Sequence, residues 1–450
     1  MKKPQVVVVG GGFGGLNVAK ALAGAKVDVT IVDRENHHLF QPLLYQVATA
    51  SLAPGSIAVP IRSVVSRQDN VRVVLAEAQR IEKDERLLRF RDGSSLPYDY
   101  LVVACGAKTT YFGHDEWAEH AHGLKDLRDA IRIRERVLLA FEAAEWEADD
   151  ELRKGILTFV VIGGGPTGVE MAGAISELGR QVLVGDYRRV RRDDVRVVLV
   201  EMGARVLSAF DPDLSQSAQR QLEELGVEVR TATKVTDVTP AGVRLGDEWV
   251  EASVVVWAAG VTPVSFVSRL GVPLDRSGRI VVDEHCALPD HPEIFALGDV
   301  AAFVPEGEER ALPGVAPVAV QQGKHVARQI RRDLRGKARE RFVYRDKGIM
   351  ATIGRSRAVV QGSIKLTGLL AWWAWGLIHV LYLIGFRNRF IVLFNWLWSY
   401  LTFKRGARLI TARHDEGDAT TPVRLRDRPP DPLRHGPAHP GSPRKDPELR

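Results

Sequence analysis

Two glycine loops hold the residues best placed for chemistry: Gly10, Gly12 and Gly15 in VVVVGGGFGGL, and Gly163, Gly165 and Gly168 in FVVIGGGPTGVE. Both are in G-x-G-x-x-G register, follow β-branched runs and open into helix-compatible stretches, the setting in which such a loop wraps a dinucleotide pyrophosphate. The middle glycine lets the backbone approach the phosphates, the last permits close helix–strand packing, and the helix N-terminus offers N–H groups to the anion. Each copy also has an acid closing its next strand, Asp33 and Glu201, suited to accept hydrogen bonds from ribose hydroxyls. Glu201 favours a 2′-hydroxyl over a 2′-phosphate, hence NADH over NADPH, although Arg205 lies near enough in sequence to soften that preference. One loop binds one dinucleotide. Two in one chain point to electron transfer between them.

Three further groups are singled out. Glu170, two residues past Gly168, is costly to bury without a task. It either meets the nicotinamide or relays a proton, or is a half-exposed helix residue. Asp299, after Gly298 in EIFALGD, can bond the polyol chain of a flavin, though Gly-Asp is also a common turn. LVVACGA at 101–107, with Ala104 and Gly106, is echoed by SVVVWAAGV at 253–261, with Ala259 and Gly260. Each nucleotide unit is thus followed by its own apolar strand and small-residue turn.

The elements positioning these residues fit an α/β protein. A chain of 450 residues, 45% apolar, can build two or three cored domains, and its net charge of +6 is compatible with anionic lipid without being diagnostic. No nucleic-acid partner is expected. Only two cysteines occur, Cys105 and Cys286, so a disulfide framework or metal site is not expected. A nucleotide strand begins almost at once, leaving no room for a cleavable signal peptide, so the catalytic body is expected in the cytoplasm. Residues 124–154 read as amphipathic helix, and DYRRVRRDDV at 186–195 as a charged, solvent-exposed insertion.

From 366 the character changes. Leu366 to Phe386 is a run of 21 residues without Asp, Glu, Lys or Arg, and five of nine tryptophans fall between 372 and 398. The run is long enough to span a bilayer. Its clustered Trp and the flanking basic residues 387, 389, 404, 405 and 408 better fit helices lying among headgroups and pairing with anionic lipid. A dimer interface or core layer is the third reading. The proline-rich, aromatic-free end is expected to be disordered.

The order GGGFGG, IVDRENHHLFQPLLYQVAT, LVVACG, VVIGGGPTGVE, VVLVE, ALGD, LPGVAPVAVQQG and KGIMATIGR, across residues 5–410, resembles the bacterial type II NADH dehydrogenases, FAD-containing NADH:quinone oxidoreductases that pump no protons. The resemblance implies two Rossmann-like domains, the FAD domain interrupted by the NADH domain, plus C-terminal amphipathic membrane-associating helices. The expected division is 1–120 and 266–345 for FAD, 121–155 connecting helices, 156–265 for NADH, 346–410 for the membrane and 411–450 as tail. FAD would be held by Gly10, Gly12, Phe13, Gly14, Gly15, Asp33, Arg34, Ala104, Gly106, Gly298, Asp299, Ala319 and Gln322. NADH would be held by Gly163, Gly165, Pro166, Gly168, Glu170, Glu201, Ala259 and Gly260. In the family a segment A-Q-x-A-x-Q lines the quinone side of the flavin. Here Pro317 replaces the first glutamine, which leaves Gln321, with Glu170, as the expected catalytic pair. The implied partners are menaquinone or ubiquinone, lipids of the cytoplasmic membrane face, and a second copy in a homodimer. Rival activities are an NADH-dependent ferredoxin reductase and a non-catalytic FAD/NADH sensor. A disulfide reductase or sulfide:quinone oxidoreductase would need cysteines that this chain lacks at the required places.

Overall fold

The β-branched runs ending in glycine turns form the parallel cores of two sheets in the computed structural model, which describes residues 3–402 and 406–411. The first runs, edge to edge, Ala287–Leu288, His291–Ala296, Tyr100–Val103, Gln5–Val9, Asp28–Asp33 and Val71–Leu75. Its centre, Val6 to Val9, is at most 4% exposed, as a strand covered on both faces must be. The second runs Ala121–Gly123, Val254–Trp257, Thr158–Ile162, Arg196–Val200 and Val227–Arg230. The first sheet takes strands from both sides of the second in sequence, so the second unit is inserted into the first. Chain entry and exit lie side by side, Ala107–Thr109 pairing antiparallel with Val261–Pro263. The sequence echo is a structural one: Tyr100–Val103 pairs parallel with the strand before the first loop, as Val254–Trp257 does with the strand before the second.

The helical stretch before the second unit is two helices. Leu127–Trp146 starts at a capping box of Asp126 and Asp129, and Asp150–Ile156 is capped by Asp149, which accepts from the N–H groups of Glu151 and Leu152. The insertion at 186–195 is less free than its composition suggests. Val190 is 5% exposed, and Asp194 makes a buried ion pair with Arg153 at 3.2 Å.

After a three-stranded antiparallel sheet (Ile349–Gly354, Arg357–Gln361, Lys365–Thr367), the uncharged run does not make one rod. It breaks at Leu383–Gly385, where Gly385 has φ +90°, giving a hairpin of helices Gly368–Tyr382 and Phe386–Thr402. The first, of 15 residues, is about 22 Å long, short of the ~30 Å hydrocarbon layer. Among the described residues no helix is long and apolar enough to cross a membrane. Ala371, Trp375 and Val380 pack inward, while Leu370, Trp373, Leu377, Phe386, Phe390 and Leu401 are exposed. The first helix is therefore apolar on both faces, and the hairpin leaves a broad apolar surface uncovered.

Two of the cations expected to meet lipid are used internally. Arg389 donates from Nε to the Leu383 carbonyl and from Nη2 to the Leu381 carbonyl, both at 2.8 Å, closing the first helix's C-terminal end. Arg408 pairs with Asp186. Lys404, Arg405 and the proline-rich tail lie outside the described residues. Replacing Arg389 with Ala removes two charge-assisted bonds and should loosen the hairpin by about 2 kcal/mol. Hydrogen exchange at 380–390 should rise accordingly, while the parallel sheets exchange as before.

Candidate functional site

The two glycine loops are near-copies in space. Gly10 and Gly163 have φ of +106° and +109°, a left-handed conformation that disfavours any side chain. A Cβ at either would also strike the carbonyl of Ala104 or Ala258, on the neighbouring echo strand's end. A Cβ at Gly15 or Gly168 would sit well inside van der Waals contact of the Gly10 or Gly163 oxygen. By contrast a Cβ at Gly12 or Gly165 would meet nothing within 4 Å, so that glycine opens the space a pyrophosphate needs. The acids match as well. Asp33 Oδ2 accepts from the Gly11 N–H and Glu201 Oε2 from the Gly164 N–H, both at 2.6 Å. Burial pushes the Asp33 carboxyl up, against the pull of its two backbone hydrogen bonds. Pro166 occupies the first turn of helix Pro166–Glu177. Arg205 donates to the carbonyls of Phe210 and Ser208.

A cleft of about 740 Å³ runs from the first cradle to the second unit. Gly10, Gly12, Phe13, Gly14, Asp33, Arg34, Ala104, Gly106, Gly298, Asp299 and Ala319 line it from one side; Thr167, Glu170, Ala259 and Gly260 line it from the other. Gly15 and Gln322 act from behind the wall, Gln322 accepting from the Gly298 N–H at 2.8 Å. Gly163, Gly165, Pro166, Gly168 and Glu201 form the second cradle, away from this lining. Lys125, which nothing in the sequence singled out, pairs with Asp299 at 3.1 Å within the cleft. A lone lysine ahead of a capping aspartate carries no pattern that marks it in advance. Cys105 also lines the cleft, its thiol pushed up to about 12 by burial and so held as a thiol, and among the described residues both cysteines are free.

A second cavity of about 110 Å³ lies between this body and the C-terminal hairpin, with Trp372, Trp375, Trp396 and Tyr400 on the hairpin side. Tyr45 and Glu170 line both cavities. A hydrogen-bonded chain ties hairpin to wall: Trp396 Nε1 donates to Gln46 Oε1, and Gln46 Nε2 donates to Tyr45 Oη, each at 2.8 Å. Glu170 accepts weakly from the Thr352 N–H at 3.4 Å, and burial pushes its carboxyl up to about 8. It is therefore mostly protonated at neutral pH. Gln321 departs from expectation. Its amide donates to the Arg345 carbonyl at 2.9 Å and accepts from the Arg345 N–H at 3.1 Å, which fixes it outside the walls of both cavities. Helix Ala316–Asp333 turns Ala316 and Ala319 to the cleft, and residue 321 falls on another face.

The pyridine nucleotide-disulphide oxidoreductase family model matches residues 4–323. A relative from Mycobacterium tuberculosis, the type II NADH:quinone oxidoreductase Ndh, is 42% identical over 430 residues, 91% of each chain. The internal alternative NAD(P)H-ubiquinone oxidoreductase A1 of Arabidopsis thaliana mitochondria is 34% identical over 89% of this chain and 84% of its own. In fold, the structure of NDH2 from Plasmodium falciparum in complex with NADH is similar at a TM-score of 0.83, with 19% identity, over 91% of this chain and 100% of that one.

Proposed function

Since the chain belongs to the pyridine nucleotide-disulphide oxidoreductases, and within them to the type II NADH:quinone oxidoreductases, we propose that the two cavities meeting at Glu170 and Tyr45 are the two halves of its active site. The protein is an FAD-dependent enzyme that oxidises NADH and reduces a quinone. The chemistry supplied by bound FAD is acceptance of a hydride from NADH and release of two electrons to the quinone.

The first cradle, with Asp33 at its ribose end and Asp299 with Lys125 further along the cleft, has the open glycine and carboxylate that FAD requires. The second cradle, with Glu201, holds NADH so that Ala259, Gly260 and Glu170 bound its reactive end. This corresponds to FAD-domain parts at 1–120 and 266–345 around an NADH domain at 156–265. The quinone head enters the smaller cavity from the hairpin side. Tyr45, held by Gln46, presents a hydroxyl there, and protonated Glu170 donates the proton that quinone reduction consumes. The protein's own part is alignment, exclusion of water and delivery of that proton.

The hairpin's exposed apolar side would lie in the headgroup layer on the cytoplasmic face, a monotopic attachment that brings a lipid-dissolved quinone to the cavity mouth. A homodimer is the other cover for the same side chains, told apart by mass in detergent.

The sharing of Tyr45 and Glu170 by both cavities carries this reading. Stopped-flow separation of the half-reactions tests it on Trp396→Ala, which cuts the Trp396–Gln46–Tyr45 chain. Reduction by NADH should proceed as in the parent protein, and reoxidation by quinone should slow about tenfold, a loss of about 1.4 kcal/mol. Equal slowing of both would move the quinone site elsewhere.

A further inference from the structure

With Arg389 and Arg408 used internally and Arg387 exposed on the hairpin, we infer that anionic lipid is met chiefly by the inserted loop, whose Arg188, Arg189, Arg191 and Arg192 form a docking surface for the phosphate-bearing headgroups of a bilayer. The inference rests on the hairpin lying in the membrane, and adds to it a second, electrostatic contact on a separate part of the chain.

Three observations carry it. The first is that the loop is built to hold its shape. Tyr187 Oη donates to Glu142 at 2.9 Å, Glu145 accepts from the backbone N–H groups of Arg188 at 3.1 Å and Arg189 at 2.9 Å, and Val190 is buried beneath them. The four arginines on this frame are exposed.

The second is that their charge is left over. Each carboxylate of the insertion already faces a cation from elsewhere: Asp186 meets Arg408, Asp194 meets Arg153, and Asp193 lies 3.9 Å from Arg180. Glu145 directs its oxygens to the backbone N–H groups of Arg188 and Arg189. Among the described residues none of the four guanidinium groups makes an ion pair. Four such groups, exposed on five residues, make a basic surface suited to face an anion.

The third is position. Gln181 and Val182, just ahead of the insertion, share a cavity wall with Trp372, Ser399 and Tyr400 of the hairpin, and Asp186 contacts Arg408 just beyond it. The inserted loop therefore begins beside the hairpin and its uncovered apolar surface. An apolar footprint flanked by basic groups supplies the two signals that stable bilayer attachment requires.

Cosedimentation of the full-length holoenzyme with vesicles tests this. One set is pure phosphatidylcholine; in the other, one lipid in three is phosphatidylglycerol. The parent protein should bind both, the anionic set about tenfold or more tightly, with salt removing that advantage. Changing all four arginines to Ser should remove most of the anionic advantage while leaving neutral-vesicle binding, flavin content and NADH oxidation with a water-soluble quinone intact. A four-lysine variant should keep most of the advantage, which guards against a folding defect in the serine protein. An anionic preference undiminished in the serine variant overturns the loop's role and leaves the hairpin reading standing. Failure of the parent protein to bind either vesicle sinks the hairpin reading, and this inference with it.

Discussion

Gly168→Val should give a yellow protein that NADH no longer bleaches. The Cβ introduced there would run into the Gly163 oxygen, so the helix beginning at Pro166 must back away from its strand. That shift breaks the second cradle and leaves the first, whose residues lie in the other sheet. A misplacement of about 1 Å costs on the order of 10²-fold in rate, and loss of the pyrophosphate seat costs more, so kcat/KM for NADH should fall at least that far. Flavin content and reduction by dithionite should be unchanged. The mirror change, Gly15→Val, presses on the Gly10 oxygen and should yield colourless protein. If Gly168→Val lost its flavin instead, the assignment of the two cradles would be reversed.

Glu170→Gln should slow quinone reduction by roughly 10²-fold, the lower end of what a positioned proton donor supplies, with a much smaller effect on the separate half-reaction in which NADH reduces the flavin. The pH profile is the sharper readout. Burial raises this carboxyl from its ordinary value to about 8, so in the parent protein the donor form prevails below that and quinone reduction declines as pH rises through it. The amide cannot titrate, and the decline should vanish in the variant. Stability shifts in the same sense. The folded state binds a proton the unfolded chain has released, so the contribution is full below the unfolded value near 4.5 and is lost as pH climbs toward 8. A glutamine variant that kept the parent's pH profile would assign the titration to another group.

Much of this could be read in the chain because glycine and acid positions are dictated locally. A φ of +106° or +109° and an approach to a neighbouring carbonyl admit nothing larger, so Gly10 and Gly163 had to be where they are. Asp33 and Glu201 are fixed by the strand ends that carry them. What could not be read depends on contacts between distant elements. Lys125 gains meaning only because Asp299, 174 residues away, swings against it. Tyr45 and Gln46 sit in a segment that carries the resemblance without marking either residue, until Trp396, 350 residues from Gln46, reaches them. Gln321 misled because the family segment that singled it out does not say what its amide touches in this chain, and it touches the Arg345 backbone. The hairpin was hidden in composition: the 21 uncharged residues read as one unit, and the left-handed Gly385 that turns the chain at their end is a single residue among apolar neighbours.

The seam where Ala107–Thr109 runs antiparallel to Val261–Pro263 bears on the protein's ancestry and engineering. Thr109 and Val261 face each other across it, so the chain leaves and rejoins the outer fold at points only about 5 Å apart. A segment bounded in that way behaves as a cassette. Another pyridine-nucleotide module with similarly spaced ends could be spliced in at those two positions, changing the electron donor while the flavin cradle and the hairpin keep their own connectivity.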